Sequence, residues 1–144
     1  MNAAQETIIV NAPVAEVYQR WSCFEELPKF IKSLRDVQRI DDTHFSFRAA
    51  GDGEEHRTIV EVIFRNPERR IAWRTISDGV GLGVISFEPH PDGGTEITLK
   101  LRSAFTPFLS PKRATEYLRE FKKLVEASPA LIESFSLEGS ARRP

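Results

Sequence analysis

Apolar positions change spacing twice along this 144-residue chain, and each change marks a change of element. Thr7-Ile8-Ile9-Val10 is β-branched throughout and ends at Asn11-Ala12-Pro13. That predicts a strand stopping where a helix begins, with Asn11 or Ala12 at the cap and Pro13 near the first helical position, where its missing N–H costs little. Val14, Val17, Tyr18 and Trp21 then fall at i, i+3, i+4 and i+7, the spacing of one inward helical face. A second apolar cluster, Phe24 to Ile31, is broken by Pro28 and predicts a brief second helix after a turn.

After Ser33 the period becomes two. Leu34 to Ile40 reads as a strand, Asp41-Asp42-Thr43 as a tight turn, and His44 to Ala50 as a strand with Phe45, Phe47 and Ala49 on one face. Gly51-Asp52-Gly53 ends that run. His56 to Phe64 alternates again, with Thr58, Val60, Val62 and Phe64 on one side and Arg57 and Glu61 on the other. Asn66 to Arg69 is a turn, and Arg70 to Ser77 places Ile71, Trp73 and Thr75 together. Gly83 to Glu88 aligns Ile85 with Phe87. The Pro, Asp and Gly of Pro89 to Gly94 form a hairpin loop into Thr95 to Phe105, where Ile97, Leu99, Leu101 and Phe105 share a face.

The period then returns to 3.6. Ala114, Tyr117, Leu118, Phe121, Leu124 and Val125 trace one stripe of a long helix starting at Ser110 or Pro111. Pro129 interrupts it, and Leu131, Ile132 and Phe135 extend it as a further turn or a kinked helix. The order is strand, short helices, a run of strands and one long helix. It describes a container, because a single helix laid on a twisted sheet of six or seven strands leaves part of the concavity unfilled. A ligand-holding pocket is expected.

Composition narrows the partners. Twenty Lys and Arg against 21 Asp and Glu leave a net charge of −1, with no general field for nucleic acid or an anionic membrane. Hydrophobic residues at 40% and charged residues at 28% fit one soluble domain, placed at residues 1–136, with 137–144 as a disordered tail. The single Cys23 and a start, Met-Asn-Ala-Ala-Gln-Glu, without signal-peptide character predict a cytoplasmic protein. No apolar run is long enough to span a bilayer. A homodimer through an exposed sheet edge is one assembly such a fold allows.

Ile8-Ile9-Val10-Asn11-Ala12-Pro13-Val14-Ala15-Glu16-Val17-Tyr18 with Trp21, followed by Phe24-Glu25-Glu26-Leu27-Pro28-Lys29-Phe30, resembles the opening of the polyketide cyclase/dehydrase family. That family belongs to the START-related helix-grip superfamily, SRPBCC. The resemblance continues through Pro67-Glu68-Arg69-Arg70-Ile71-Ala72-Trp73-Arg74, Ser86-Phe87-Glu88-Pro89 and Gly94-Thr95-Glu96-Ile97-Thr98-Leu99, covering residues 5–127. It implies an α+β helix-grip fold. In that fold a seven-stranded curved antiparallel sheet surrounds a long C-terminal helix, two short N-terminal helices close one end, and a hydrophobic tunnel runs between. Similar proteins include aromatase and cyclase domains, coenzyme Q-binding proteins and lipid-transfer domains.

Candidate chemistry is sparse. His44, His56 and His90 lack metal-ligand spacing, so neither metal nor other cofactor is expected. Cys23 has no evident His partner and reads as a structural thiol. The glycines at 79, 81 and 83 lack the Lys-Ser or Lys-Thr of a phosphate loop and predict a flexible connection at the pocket mouth. Glu61 and Arg74 lie on neighbouring predicted strands. They form either an outer cross-strand ion pair or, if turned inward, a general base beside a carbonyl-binding cation. Arg48 and Tyr18 are further polar lining candidates. Trp21, Phe30, Phe47, Trp73, Phe87 and Phe121 are the expected ligand-binding walls. Three functions follow: binding or transport of a hydrophobic lipid-, quinone- or polyketide-like molecule without catalysis, a cyclase or dehydratase that works by holding a reactive chain in a productive shape, or a ligand-dependent interaction module.

Overall fold

The β-branched and alternating runs pair into one antiparallel sheet. The computed structural model describes residues 2–50, 55–76, 80–104 and 109–127. Among these are seven strands: β1 (Asn2–Val10), β2 (Leu34–Arg39), β3 (His44–Ala50), β4 (Glu55–Asn66), β5 (Arg70–Thr75), β6 (Val80–Pro89) and β7 (Thr95–Ala104). Their order across the sheet is β1-β7-β6-β5-β4-β3-β2. Every neighbouring pair but β1–β7 is a sequential hairpin, so the chain crosses the sheet from β1 at one edge to β2 at the other. The crossing is made by helix α1 (Val14–Ser22) and a 3₁₀ helix, Phe24–Lys29. A 3₁₀ turn, Pro111–Arg113, leads into the long helix α2 (Ala114–Ala127). This curved sheet gripping a C-terminal helix is the arrangement the sequence predicts.

Several boundaries differ from expectation for local reasons. β1 begins at Asn2, because Asn2 to Glu6 pair with Ser103 to Leu99 of β7 despite weak strand propensity. Pro13 occupies the helix N-cap, extended at φ −63° and ψ 150°, and its carbonyl accepts the Val17 N–H at 3.0 Å. Pro28 lies inside the 3₁₀ helix instead of breaking it. Phe64 leaves the face of Thr58, Val60 and Val62. A β-bulge between Val62 and Phe64 inserts one residue, so Phe64 pairs with Ala72 on the outer face and is 48% exposed. Phe105, Gly79, the Pro129–Phe135 region and the tail at 137–144 lie outside the described residues.

The core lies between the inner sheet face and α2. Phe45, Phe47, Val60, Ile71, Trp73, Ile85, Phe87, Ile97 and Leu99 enter it from the strands, and Tyr117, Leu118, Phe121 and Val125 from the helix. The crossing segment adds its own side chains to the concavity that one helix cannot fill. α1 and the 3₁₀ helix deliver Trp21, Phe24 and Phe30, each 2% exposed or less. Trp21 stacks on Trp73 with centroids 6.4 Å apart and meets Phe121 edge-on at 5.2 Å, while Phe30 reaches Phe121 at 4.9 Å. Phe24 meets the edge of Trp73 at 5.8 Å and lies 5.2 Å from Phe45. Such pairs add about 0.5–1.5 kcal/mol each beyond the area they bury.

Candidate functional site

The inner face is apolar at its centre and small and polar toward one end. Phe47 pairs with Thr58, Val60 with Thr75, Trp73 with Gly83, and Gly81 with Ser103. Toward the Ala50, Thr75, Val80 and Ala104 ends of these strands the inner face carries Ala49, Thr58, Thr75, Gly81 and Ser103. Leu109 packs at this end beside Trp73, Thr75 and Gly81. A crevice between Trp73, Thr75, Gly81, Leu101 and Leu109 remains, of about 10 Å³. That is room for about one water molecule. Around this crevice the described side chains pack closely.

Gly83 shows how tightly that interior is built. The Trp73 indole lies flat on it, so a Cβ there would stand 2.2 Å from Cε2 and Cζ2 of the ring. Gly81 and Gly83 are strand residues of β6, not the flexible connection expected from their spacing. The missing side chain at 83 makes space for an indole.

Among the described residues, two polar atoms in this interior have no partner. The Trp21 Nε1–H and the Thr58 hydroxyl are buried without a hydrogen bond, and both residues are 0% exposed. Thr95 at the opposite end is equally buried but donates to the Ala12 carbonyl at 2.8 Å. Leaving a buried donor or acceptor unpaired costs about 1–3 kcal/mol. Tyr117, also buried, accepts the Ser110 N–H at 3.0 Å through its hydroxyl, and burial pushes its pKa up against the pull of that bond and of Arg113. Neither unpaired atom is legible from sequence, since Trp21 and Thr58 look like ordinary members of an apolar face.

All six expected wall residues, Trp21, Phe30, Phe47, Trp73, Phe87 and Phe121, face this interior and are at most 3% exposed. They are held against one another or against further aromatics, as Phe87 is by the edge of Tyr18 at 5.5 Å. The polar candidates lie elsewhere. Arg74 Nε donates to Glu61 Oε1 at 2.7 Å on the outer face, so the inward orientation a general base needs is not the one observed. His44 extends this row, its Nε2 lying 3.6 Å from Glu61 Oε2 and its Nδ1 2.9 Å from Asp41 Oδ1. Arg48 pairs with Asp36 at 2.9 Å.

Burial and the charges of Glu25 and Glu26 raise the Cys23 thiol, which keeps it protonated and a poor nucleophile. Among the described residues no group of three His, Cys, Asp or Glu side chains has metal-binding geometry. No helix among them is long and apolar enough to cross a membrane.

α2 is fastened at its C-terminal end. Lys122 Nζ donates to the Ile9 carbonyl at 2.6 Å and to Glu126 Oε2 at 2.7 Å, and the same oxygen accepts the Asn11 N–H at 2.7 Å. Burial alone would raise the Glu126 pKa, but these bonds and the Lys122 charge outweigh it and lower the pKa.

Comparison with known proteins agrees with this geometry. A structure from Deinococcus radiodurans, DR_A0006, superposes with a TM-score of 0.75 at 23% identity, covering 88% of this chain and 98% of that one. A START superfamily protein from Mycobacterium smegmatis superposes at 0.69 with 17% identity, covering 90% and 98%. At these identities the likeness is one of fold. An uncharacterised 17.2 kDa protein from Streptomyces lincolnensis, encoded in the melC2-rnhH intergenic region, is 26% identical over 102 residues, 70% of this chain and 68% of that one. The family model for polyketide cyclase/dehydrase and lipid transport matches residues 1–128. With nearly all of the sheet, the crossing segment and α2 inside that match, the chain belongs to the polyketide cyclase/dehydrase and lipid transport family.

Proposed function

We propose that the protein binds and carries a hydrophobic small molecule between the inner sheet face and α2, admitted at the end formed by Thr58, Thr75, Gly81 and Leu109. The carrying observation is the pair of unpartnered buried polar atoms, Trp21 Nε1 and Thr58 Oγ1, in an otherwise apolar interior. A ligand with an apolar body and a carbonyl or hydroxyl group would satisfy them, offsetting the free energy their isolation costs. Lipids, quinones and polyketide-like molecules share that description. The carrier reading is favoured over a cyclase because, among the described residues, the buried polar side chains Ser46, Thr58, Thr75, Thr95 and Ser103 are all hydroxyls. Hydroxyls orient a ligand but exchange no proton readily near neutral pH.

Thr58→Val tests this by opposing two effects. Removing an unpaired hydroxyl at nearly constant volume leaves the empty protein equally stable or more stable by up to about 1–2 kcal/mol. The same change lowers ligand occupancy in a native mass spectrum of freshly purified protein. A Thr58→Val protein that is destabilised, with co-purified ligand retained at the wild-type level, would exclude a binding role for this hydroxyl.

A further inference from the structure

A further depression lies on the other side of the sheet, away from the interior and from α2. It is an open groove of about 560 Å³, within the range of small-molecule sites. Register defines its floor. Arg70 pairs with Ser86 and Ser86 with Thr98, so a guanidinium and two hydroxyls lie in one row across β5, β6 and β7. Two residues further along β6, a spacing of about 7 Å, Glu88 stands directly opposite Glu96 of β7. Arg69, at the end of the β4–β5 turn, and the half-exposed ring of Phe64 complete the lining.

Two features of this groove are costly for a surface with no further use. Like charges directly opposed on neighbouring strands destabilise a sheet, yet Glu88 and Glu96 are so placed, and only Glu96 has a counter-group, His90 Nε2 at 3.0 Å. Among the described residues neither the Arg69 nor the Arg70 guanidinium, nor the Glu88 carboxylate, has an ion-pair partner within 4.0 Å. The exposed Phe64 is turned onto this face by the β4 bulge.

The charges select the ligand class. A simple anion drawn to Arg69 and Arg70 meets two carboxylates, and a simple cation drawn to Glu88 meets two guanidiniums. A zwitterion satisfies both ends: an anionic oxygen group on Arg70, Ser86 and Thr98, and an ammonium on Glu88 with the face of Phe64 beside it. The two rows stand about 7 Å apart along the strands, a spacing that the flexible arginine and glutamate side chains can adapt to a phosphate and an ammonium joined by a two-carbon link. We propose that this outer groove is a second binding site, for a phosphate–ammonium zwitterion of the phosphoethanolamine type. It is independent of the interior site.

The test is an amide-resolved NMR titration of the intact protein with O-phosphoethanolamine, beside inorganic phosphate and ethanolamine alone. The expected result is saturable shifts at Arg70, Ser86 and Thr98, with each half-ligand weaker by about tenfold or more and Arg70→Ala and Glu88→Gln each weakening the zwitterion by about tenfold. Both side chains are on the surface, and circular dichroism confirms that the variants fold. Sedimentation with phosphatidylethanolamine vesicles separates the sources. Pelleting that is lost in Arg70→Ala and competed by free phosphoethanolamine identifies a lipid headgroup, whereas binding in solution without pelleting identifies a free metabolite. No saturable shift at millimolar ligand, or shifts unchanged in both variants, would overturn the proposal.

Discussion

Replacing Gly83 by alanine isolates the packing of the interior in one methyl group. The new Cβ would lie 2.2 Å from two carbons of the Trp73 ring and 2.5 Å from Nε1, well short of the 3.4 Å at which ordinary contact begins. The ring has nowhere to retreat, with Trp21 stacked at 6.4 Å and Phe24 edge-on at 5.8 Å. Overpacking of a tight core costs about 1–3 kcal/mol and occasionally more. With rigid neighbours on both flanks, Gly83→Ala is expected at the top of that range, about 3 kcal/mol. For a chain of this length that lowers Tm by roughly 10 °C, a large fraction of the ~5–15 kcal/mol that keeps a domain folded. Urea denaturation of Gly83→Ala, Trp73→Leu and the double variant measures it. Trp73→Leu alone loses about 2–4 kcal/mol, but it removes the atoms the methyl strikes. The double variant should therefore be at least about 1 kcal/mol better than the sum. A Gly83→Ala protein within about 0.5 kcal/mol of wild type, or a strictly additive cycle, would refute the reasoning.

Three further outcomes are expected. Glu126 has a lowered folded pKa, so its contribution is present above the ordinary value of 4.5 and is lost as pH falls through the lower folded value. Glu126→Gln should flatten the urea midpoint against pH in that acid range, by less than about 1 kcal/mol because the pair is partly exposed. Asp41 accepts the Thr43 N–H, the largest cause, and bonds from His44, which bring its pKa down to about 2. Its carboxyl carbon should titrate near pH 2 by NMR, with its stabilising effect present above 3.8 and lost as pH falls through about 2. Glu68 holds a left-handed backbone at φ 63° in the β4–β5 turn, so Glu68→Asn should raise stability by about 0.5–1 kcal/mol in thermal denaturation.

The elements of this fold were legible because their spacing is physical. A stripe such as Tyr117, Leu118, Phe121 and Val125 has one helical solution, and the Phe45-Phe47-Ala49 alternation has one strand solution. Faces were harder, since period two separates the sides without saying which side the helix covers. Glu61 and Arg74 are therefore ambiguous in the sequence, and it is the inward Trp73, next to Arg74 on β5, that turns the pair outward. Phe64 was misplaced because a bulge changes parity, and the run Val62-Ile63-Phe64 was the one hint of it. The share of the concavity taken by the crossing segment was not legible, because Trp21, Phe24 and Phe30 meet Trp73 and Phe121 only through the fold. The outer groove was invisible, because Arg70, Ser86, Thr98 and Glu88 become neighbours only through the register of three strands.

The fastening of α2 makes the molecule asymmetric in how it can yield. Lys122 and Glu126 tie the end of the helix to the backbone of Ile9 and Asn11, whereas near the start of the helix the Tyr117 hydroxyl bonds to Ser110 in its own lead-in. The last turn of α2 is thus coupled directly to the main chain that joins β1 to α1, while its first turns are held by the buried packing of Ala114, Tyr117 and Leu118.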